Sequence, residues 1–291
     1  MRKIYRWLAL FISLFSTFST HSSDKTTENI AVVYPVELNQ AKTTIYDEVI
    51  TGIRSVIPNL SVITHDSEQN NLQALLDANH PARVIALSKQ SAAAVQYTTY
   101  KDKLVCGLHY FKDTCPGVSL SIGAEDITKS IHELLPKTKR LVLVYETGLV
   151  GIDAPRPMTA SNGISVQVMP ATDTLKAINA LGNLVEHDAQ AITDVVAIPP
   201  NLPEDILFKV VASAWDRNIT LITTNLGHLE HGVLMAFVPD PLAMGKQLGV
   251  LAMKQNTGWE ATKTSKVALN RLVAKHLGLS FGESPFFLRI K

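Results

Sequence analysis

Short runs of apolar, mostly β-branched residues alternate along this chain with stretches whose apolar positions recur every three or four residues. Asn29 to Pro35 (NIAVVYP) is a strand ended by proline, and Thr43 to Val56, with Ile45, Val49, Ile53 and Val56 at helical spacing, is the helix that follows it. Ser61 to His65 and Leu72 to Ala78 form a second strand and helix, closed by the turn signal Asn79-His80-Pro81. Arg83 to Leu87 and Lys103 to Leu108 are further strands, with a helical run from Ala92 to Tyr97 between them. The rhythm restarts with a helix over Glu125 to Leu135 and a strand over Arg140 to Tyr145. Strands at Ile164 to Met169, Asp194 to Ile198, Ile219 to Thr223 and Val233 to Val238 then alternate with helices at Thr174 to Glu186, Glu204 to Arg217 and Pro241 to Lys254. Continuously apolar strands alternating with helices predict parallel sheets covered on both faces.

Two such sets, joined near residues 117 to 124, predict an α/β protein of two doubly wound parallel-sheet lobes with a cleft between them. Ligands in such sheets bind beyond the carboxyl ends of the strands. The expected division is a first lobe over 23–120, completed by a segment near 239–262, and a second over 121–238, completed by 263–291.

Composition narrows the function classes. The 291 residues carry 27 Lys+Arg against 26 Asp+Glu, without the basic excess that nucleic-acid binding demands. An apolar content of 46% with 18% charged residues argues for a packed core over disorder. The length is near the limit at which a single core stops growing, so a division into two is in keeping.

The amino terminus changes the setting. Arg2, Lys3 and Arg6 precede an apolar run from Trp7 to Phe18 that gives way to small polar residues around Thr20, Ser22 and Ser23, which is the order of a secretory signal peptide over residues 1–22. The run is shorter than the roughly 20 residues needed to span a bilayer. Cleavage after Ser22 leaves 269 residues with 24 Lys+Arg against 26 Asp+Glu, a mildly acidic protein in the periplasm. In that oxidising compartment Cys106 and Cys115 are expected to form a local disulfide, the alternative being two separate buried thiols.

Several pieces together resemble the substrate-binding proteins of ABC transporters with the type I two-lobe periplasmic fold. They are Gly232 to Asp240 (GVLMAFVPD), Gly245 to Ala252, Gly258-Trp259, and Val267 to Asn270 running into Ala274 to Leu279. The family commonly ends with a strand reading into an Asn, a helix containing Ala-Lys, and a Leu-Gly-Leu close. The strand NIAVVYP, Gly52 in the first helix, and Leu135-Pro136 through Tyr145 add softer matches. The segment Tyr110 to Gly117 departs from relatives, which often carry Asp-Pro after the fourth strand and a glycine-rich turn. The resemblance implies a small-molecule ligand, a membrane permease or sensor protein as partner, and a monomer. Its aromatic amino-acid binders would suit Tyr34 and Tyr110.

Strand ends and helix starts are the useful positions in a two-lobe cleft. Ser88-Lys89-Gln90-Ser91 follows an apolar strand and opens a helix, so Ser88, Gln90 and Ser91 with their backbone N–H groups are placed to hold a carboxylate, unless Ser88 serves only as an N-cap. Tyr34 and Tyr110 end two strands of the same lobe and could stack on a ligand or pack in place. Across the cleft stand Tyr145, Asn201, the Thr224-Asn225 pair and Asp240. Asp240 is suited to pair with an ammonium or to cap the helix beginning at Pro241, and with Ser88 it would bind the two ends of an amino acid.

Catalytic signatures are few. The chain has no GxSxG elbow, no Walker A loop and no GxGxxG after its first strand. The cluster His228-Leu229-Glu230-His231 lacks the HExxH spacing and reads as a loop, so neither metal nor cofactor is expected. The sequence therefore points to a non-enzymatic exported solute-binding protein serving an ABC-type importer. A periplasmic sensory module and a periplasmic hydrolase are the competing readings.

Overall fold

The computed structural model describes residues 29–36, 39–66, 71–110, 115–146, 151–153, 157–254, 258–283 and 287; the expected signal peptide lies outside them. Its elements in chain order are β1 (Ile30–Pro35), α1 (Gln40–Arg54), β2 (Leu60–His65), α2 (Leu72–Asn79), β3 (Arg83–Leu87), α3 (Lys89–Gln96), β4 (Leu104–Gly107), β5 (Gly117–Gly123) and α4 (Ala124–Leu134). Then come β6 (Arg140–Glu146), β7 (Ile152–Asp153), β8 (Met158–Thr159), β9 (Ser165–Ala171), α5 (Thr174–Asn183), β10 (Asp194–Ala197), α6 (Glu204–Asp216) and β11 (Thr220–Thr223). The chain closes with β12 (Met235–Pro239), α7 (Pro241–Ala252), β13 (Trp259–Thr262), β14 (Ser265–Leu269) and α8 (Arg271–His276). The helices start where the sequence supplies oxygen acceptors: Asn39, Ser88, Asp173, Asp240 and Asn270 each accept backbone N–H groups of the first turn.

Two sheets result. The first runs β2-β1-β3-β4-β5-β13, with β7 also on β5, and every pairing is parallel. The second runs β8-β9-β6-β10-β11-β12-β14, parallel except at its two edges, where β8 and β14 run antiparallel. Alternation along single strands shows why both faces are covered. In β1, Ile30 and Val32 enter a core with α1 and α7, while Ala31 and Val33 enter another with α2 and α3. In β6, Leu141 and Leu143 face α4 and α8, while Val142 and Val144 face α5 and α6.

The stretch 117 to 124, expected to join the two sets, is instead mostly strand: β5 lies in the first sheet, and the expected lobe boundary at 120 falls inside it. Glycine and serine hid it from the apolar pattern. Ser119 and Ser121 are buried and 3.2 Å apart, and Thr262 of β13 donates to the Ser119 carbonyl at 2.7 Å.

The chain passes between the sheets five times: from β5 into α4, from β6 out to β7 and back to β8, from β12 into α7, and from β13 into β14. The last two run side by side, with the Asp240 N–H donating to the Thr264 carbonyl at 3.0 Å. Asp126 of α4 accepts from Ser265 at 2.5 Å beside them, and burial pushes its carboxyl up despite that bond. Cys106 in β4 and Cys115 before β5 are joined as a disulfide.

Candidate functional site

The carboxyl ends of the two sheets face each other. Tyr110 follows β4 of the first sheet, Thr224 follows β11 of the second, and the Thr224 hydroxyl lies close enough to the Tyr110 phenol to influence its ionisation. Tyr110 is half exposed as a residue, yet burial of its phenol end pushes its pKa up. The Thr224 hydroxyl eases that rise but does not meet the phenol in hydrogen-bond geometry, so Oγ1 is buried without a partner.

On the first lobe the corner between β3 and α3 is the most constrained. Ser88 has φ +133° and ψ 159°, a backbone region nearly reserved for glycine. It is held there by its N–H on the Gly107 carbonyl at 3.0 Å and by capping, with Oγ accepting the Ser91 N–H at 3.1 Å. The Ser88 hydroxyl also donates to Ser91 Oγ at 3.1 Å, and Ser91 Oγ is 3.0 Å from Nε2 of His65, the last residue of β2. Ser91 and His65 are both buried, and burial keeps the imidazole below its ordinary pKa in spite of Asp66 nearby. A three-residue polar chain thus fixes the start of α3 from inside the lobe, while the N–H groups of Lys89 and Gln90, in the first turn, have no intrahelical partner.

The neighbouring turn is also strained and polar. Leu108 has φ +56°, and His109 places Nδ1 3.1 Å from the Gly107 carbonyl. Burial holds the His109 imidazole low, its bond to Gly107 opposes that, and the Lys89 ammonium adds to the lowering. Lys89 therefore brings positive charge to this corner, while the His109 imidazole beside it is biased toward its uncharged form.

The expected site residues divide into those this geometry gathers and those it engages elsewhere. Ser88, Gln90 and Ser91 lie together at the first-lobe corner, and Tyr110, three residues after β4, lies near Thr224 of the second lobe. Tyr34, at the end of β1, packs its ring on Tyr46 at 5.1 Å within its own lobe. Asn201 is exposed in the turn after β10. Asn225 is occupied: Oδ1 accepts the Gly227 N–H at 3.0 Å and Nδ2 donates to the Pro200 carbonyl at 2.8 Å, tying two loops of the second lobe together. Asp240 caps α7, with Oδ1 accepting the N–H groups of Leu242 and Ala243 at 3.0 and 3.2 Å, while Oδ2 lies 3.3 Å from Lys266 Nζ. Tyr145 lies in β6, and its side chain is outside what the structure describes. His228 is buried with Nδ1 3.1 Å from Thr223 Oγ1, and among the described residues no three His, Cys, Asp or Glu side chains are grouped to hold a metal ion.

Two residues of this neighbourhood, His65 and His109, escaped the sequence reading. Thr224 ends an apolar strand, so the strand-end rule reached it, but Asn225 beside it looked the better hydrogen-bonding group. His65 and His109 carry no motif and are identifiable only from the three-dimensional neighbourhood.

No protein-family profile matches the sequence, and no curated protein does. Among solved structures, a substrate-binding protein with adhesive properties from Clostridium difficile, in a ligand-free, open form, superposes with a TM-score of 0.56 at 17% identity, covering 91% of this chain and 99% of that one. An ABC domain in complex with L-Trp from Streptococcus pneumonia matches at 16% identity over 88% and 96% of the two chains, TM-score 0.43. A sugar-binding protein of a sugar ABC transporter from Bacillus halodurans matches at 10% identity over 86% and 100%, TM-score 0.42. The likeness to the first establishes a type I periplasmic-binding-protein-like fold.

Proposed function

We propose that this protein is an exported solute-binding protein that closes its two lobes over a small polar organic ligand and presents it to an ABC-type importer. The observation that carries this reading is the opposition of Tyr110, after a strand of one sheet, to Thr224, after a strand of the other, at the carboxyl ends of the strands. That is where open parallel sheets bind ligands. The crossings between the sheets provide a hinge, and a ligand that touches both lobes favours the closed form by its differential affinity for it.

Within that site the ligand's anionic end belongs at the α3 start, where Ser88, the N–H groups of Lys89 and Gln90, and the Lys89 ammonium converge. Ser88 serves as cap and ligand donor at once, which its strained backbone supports. Asp240 is left out, because the α7 cap and Lys266 use both of its oxygens. Gln90, Ser91, Asn201, Tyr34 and Tyr145 are assigned supporting positions around this axis.

A thermal-shift screen of the purified protein with amino acids, purines, sugars and small organic acids tests the proposal, since a ligand bound only by the folded state raises Tm by mass action. A hit among carboxylates that Ser88→Ala weakens supports it. A hit whose affinity Ser88→Ala leaves unchanged contradicts the assignment of the anion end. A sensory role is distinguished by partner: co-purification with a permease and ATPase supports transport, and with a signalling protein contradicts it.

A further inference from the structure

The Thr224 hydroxyl is enclosed by parts of the first lobe. A Cβ built on Gly151 would stand 2.2 Å from Thr224 Oγ1, so only glycine leaves room for the hydroxyl there. Gly151 is itself tied to the first sheet, its carbonyl accepting the Ile122 N–H of β5 at 3.0 Å, and it leads into β7, which pairs with β5. The Tyr110 phenol lies close to the same hydroxyl.

Such burial is costly. A buried hydroxyl without a partner loses the hydrogen bond that water would have given it. Among the described residues the other buried side-chain oxygen in this state is Thr138 Oγ1, which precedes β6 at the opposite end of the strands, away from the cleft. Thr224 sits at the strand end where a ligand is expected, one residue from an asparagine whose side chain is fully used by its own lobe.

We propose that Thr224, with Tyr110, is the specificity-determining pair of the cleft and reads one uncharged hydrogen-bonding group of the ligand, a hydroxyl or an amide, at the end opposite its carboxylate. Both side chains can donate or accept, so together they satisfy such a group with two bonds and complete the Thr224 hydroxyl on binding. The ligand class is then a carboxylate that carries a neutral polar function, which refines the proposed function and rests on it. A pocket built to hydrogen-bond such a group rejects the analogue that lacks it, because its own polar atoms stay unpaired.

The test uses the full mature chain as wild type, Thr224→Val, Thr224→Ser and Tyr110→Phe, with three matched amino-acid pairs as probes: threonine and valine, tyrosine and phenylalanine, glutamine and methionine. In ligand-free protein Thr224→Val keeps or raises Tm, since a methyl replaces an unpaired hydroxyl. A fall of more than about 2 °C, the shift of roughly half a kcal/mol or more at this size, assigns the hydroxyl to the free fold and overturns the proposal. In titrations, wild type binds the polar member of at least one pair ten-fold or more tighter than its apolar partner. Thr224→Val and Tyr110→Phe collapse that preference, and Thr224→Ser retains it. A preference that survives Thr224→Val overturns the pair's role while leaving solute binding standing; equal affinity for both members of every pair that binds overturns it too. Absence of binding by all six probes counts against a carboxylate ligand and overturns this inference with it, whereas a hit in the broader screen from another class leaves the solute-binding reading intact.

Discussion

Lys266 Nζ stands 3.3 Å from Asp240 Oδ2, joining the two adjacent crossings between the lobes. The pair is set by register, because β12 runs antiparallel to β14 with Val238 opposite Lys266 and Pro239 opposite Ser265. With Oδ1 given to the first turn of α7, both oxygens of Asp240 are engaged at these crossings.

Asp240→Ala therefore lowers stability more than binding. Loss of the cap costs about 1 kcal/mol, and the half-exposed ion pair adds at most about another 1 kcal/mol. Urea unfolding is expected to show a destabilisation of about 1–2 kcal/mol, with the affinity of any ligand found by screening changed less than about three-fold, under 1 kcal/mol. A large loss of affinity at unchanged stability would place Asp240 in the binding site.

Gly52 of α1 and Gly245 of α7 let two helices touch backbone to backbone. A Cβ on Gly52 would lie 2.2 Å from the Leu242 carbonyl oxygen, and one on Gly245 would lie 2.1 Å from that of Val49. Alanine is the better helix former by about 1 kcal/mol, so on an open helix either change would stabilise. Here the clash is with backbone that cannot rotate away. Overpacking is expected to outweigh propensity, and Gly52→Ala or Gly245→Ala should lose about 2 kcal/mol or more by chemical denaturation.

Acid weakens the fold through its buried imidazoles. His65, His109 and His228 are all held below the ordinary imidazole pKa, with burial the largest cause in each. Their folded-state values are depressed, so the unfolded chain takes up protons first. The stability they contribute is fully present above about pH 6.5 and is lost as pH falls from there toward the folded-state values. Asp126 works in the opposite sense, since burial raises it and its ionised form is the disfavoured one. Tm should fall between about pH 7.5 and pH 5, and more steeply in Asp126→Asn, which removes the opposing contribution. A flat profile over that range would contradict the burial of these histidines.

The Cys106–Cys115 disulfide closes a short loop that includes His109 and Tyr110. On the chain-entropy account a loop of this size stabilises by about 2–3 kcal/mol. The paired Cys106→Ser and Cys115→Ser variant should lose about that much and bind more weakly, because Tyr110 is then less firmly placed against Thr224.

The sheets were readable because buried parallel strands need continuous apolar residues: RVIAL, RLVLVY and VLMAFV fall on β3, β6 and β12. β5 was not, because its burial is satisfied by serine hydroxyls bonding within the strand and by Thr262 from a strand distant in sequence. The start of α1 differs from the apolar pattern for a related reason. α1 begins at Gln40, where Asn39 caps a polar first turn that the apolar spacing does not register. At the site, capping residues and ligand-reading residues share one composition. Ser88, Asn225 and Asp240 all end strands and open helical turns, and only their partners in space show that Asn225 and Asp240 are consumed locally.

Small-angle scattering of the purified protein, with and without a ligand identified by thermal shift, tests the central claim most directly. Closure of two lobes about the crossings between them predicts a smaller radius of gyration and maximum dimension on binding. Identical scattering at a ligand concentration shown to saturate the site would contradict it.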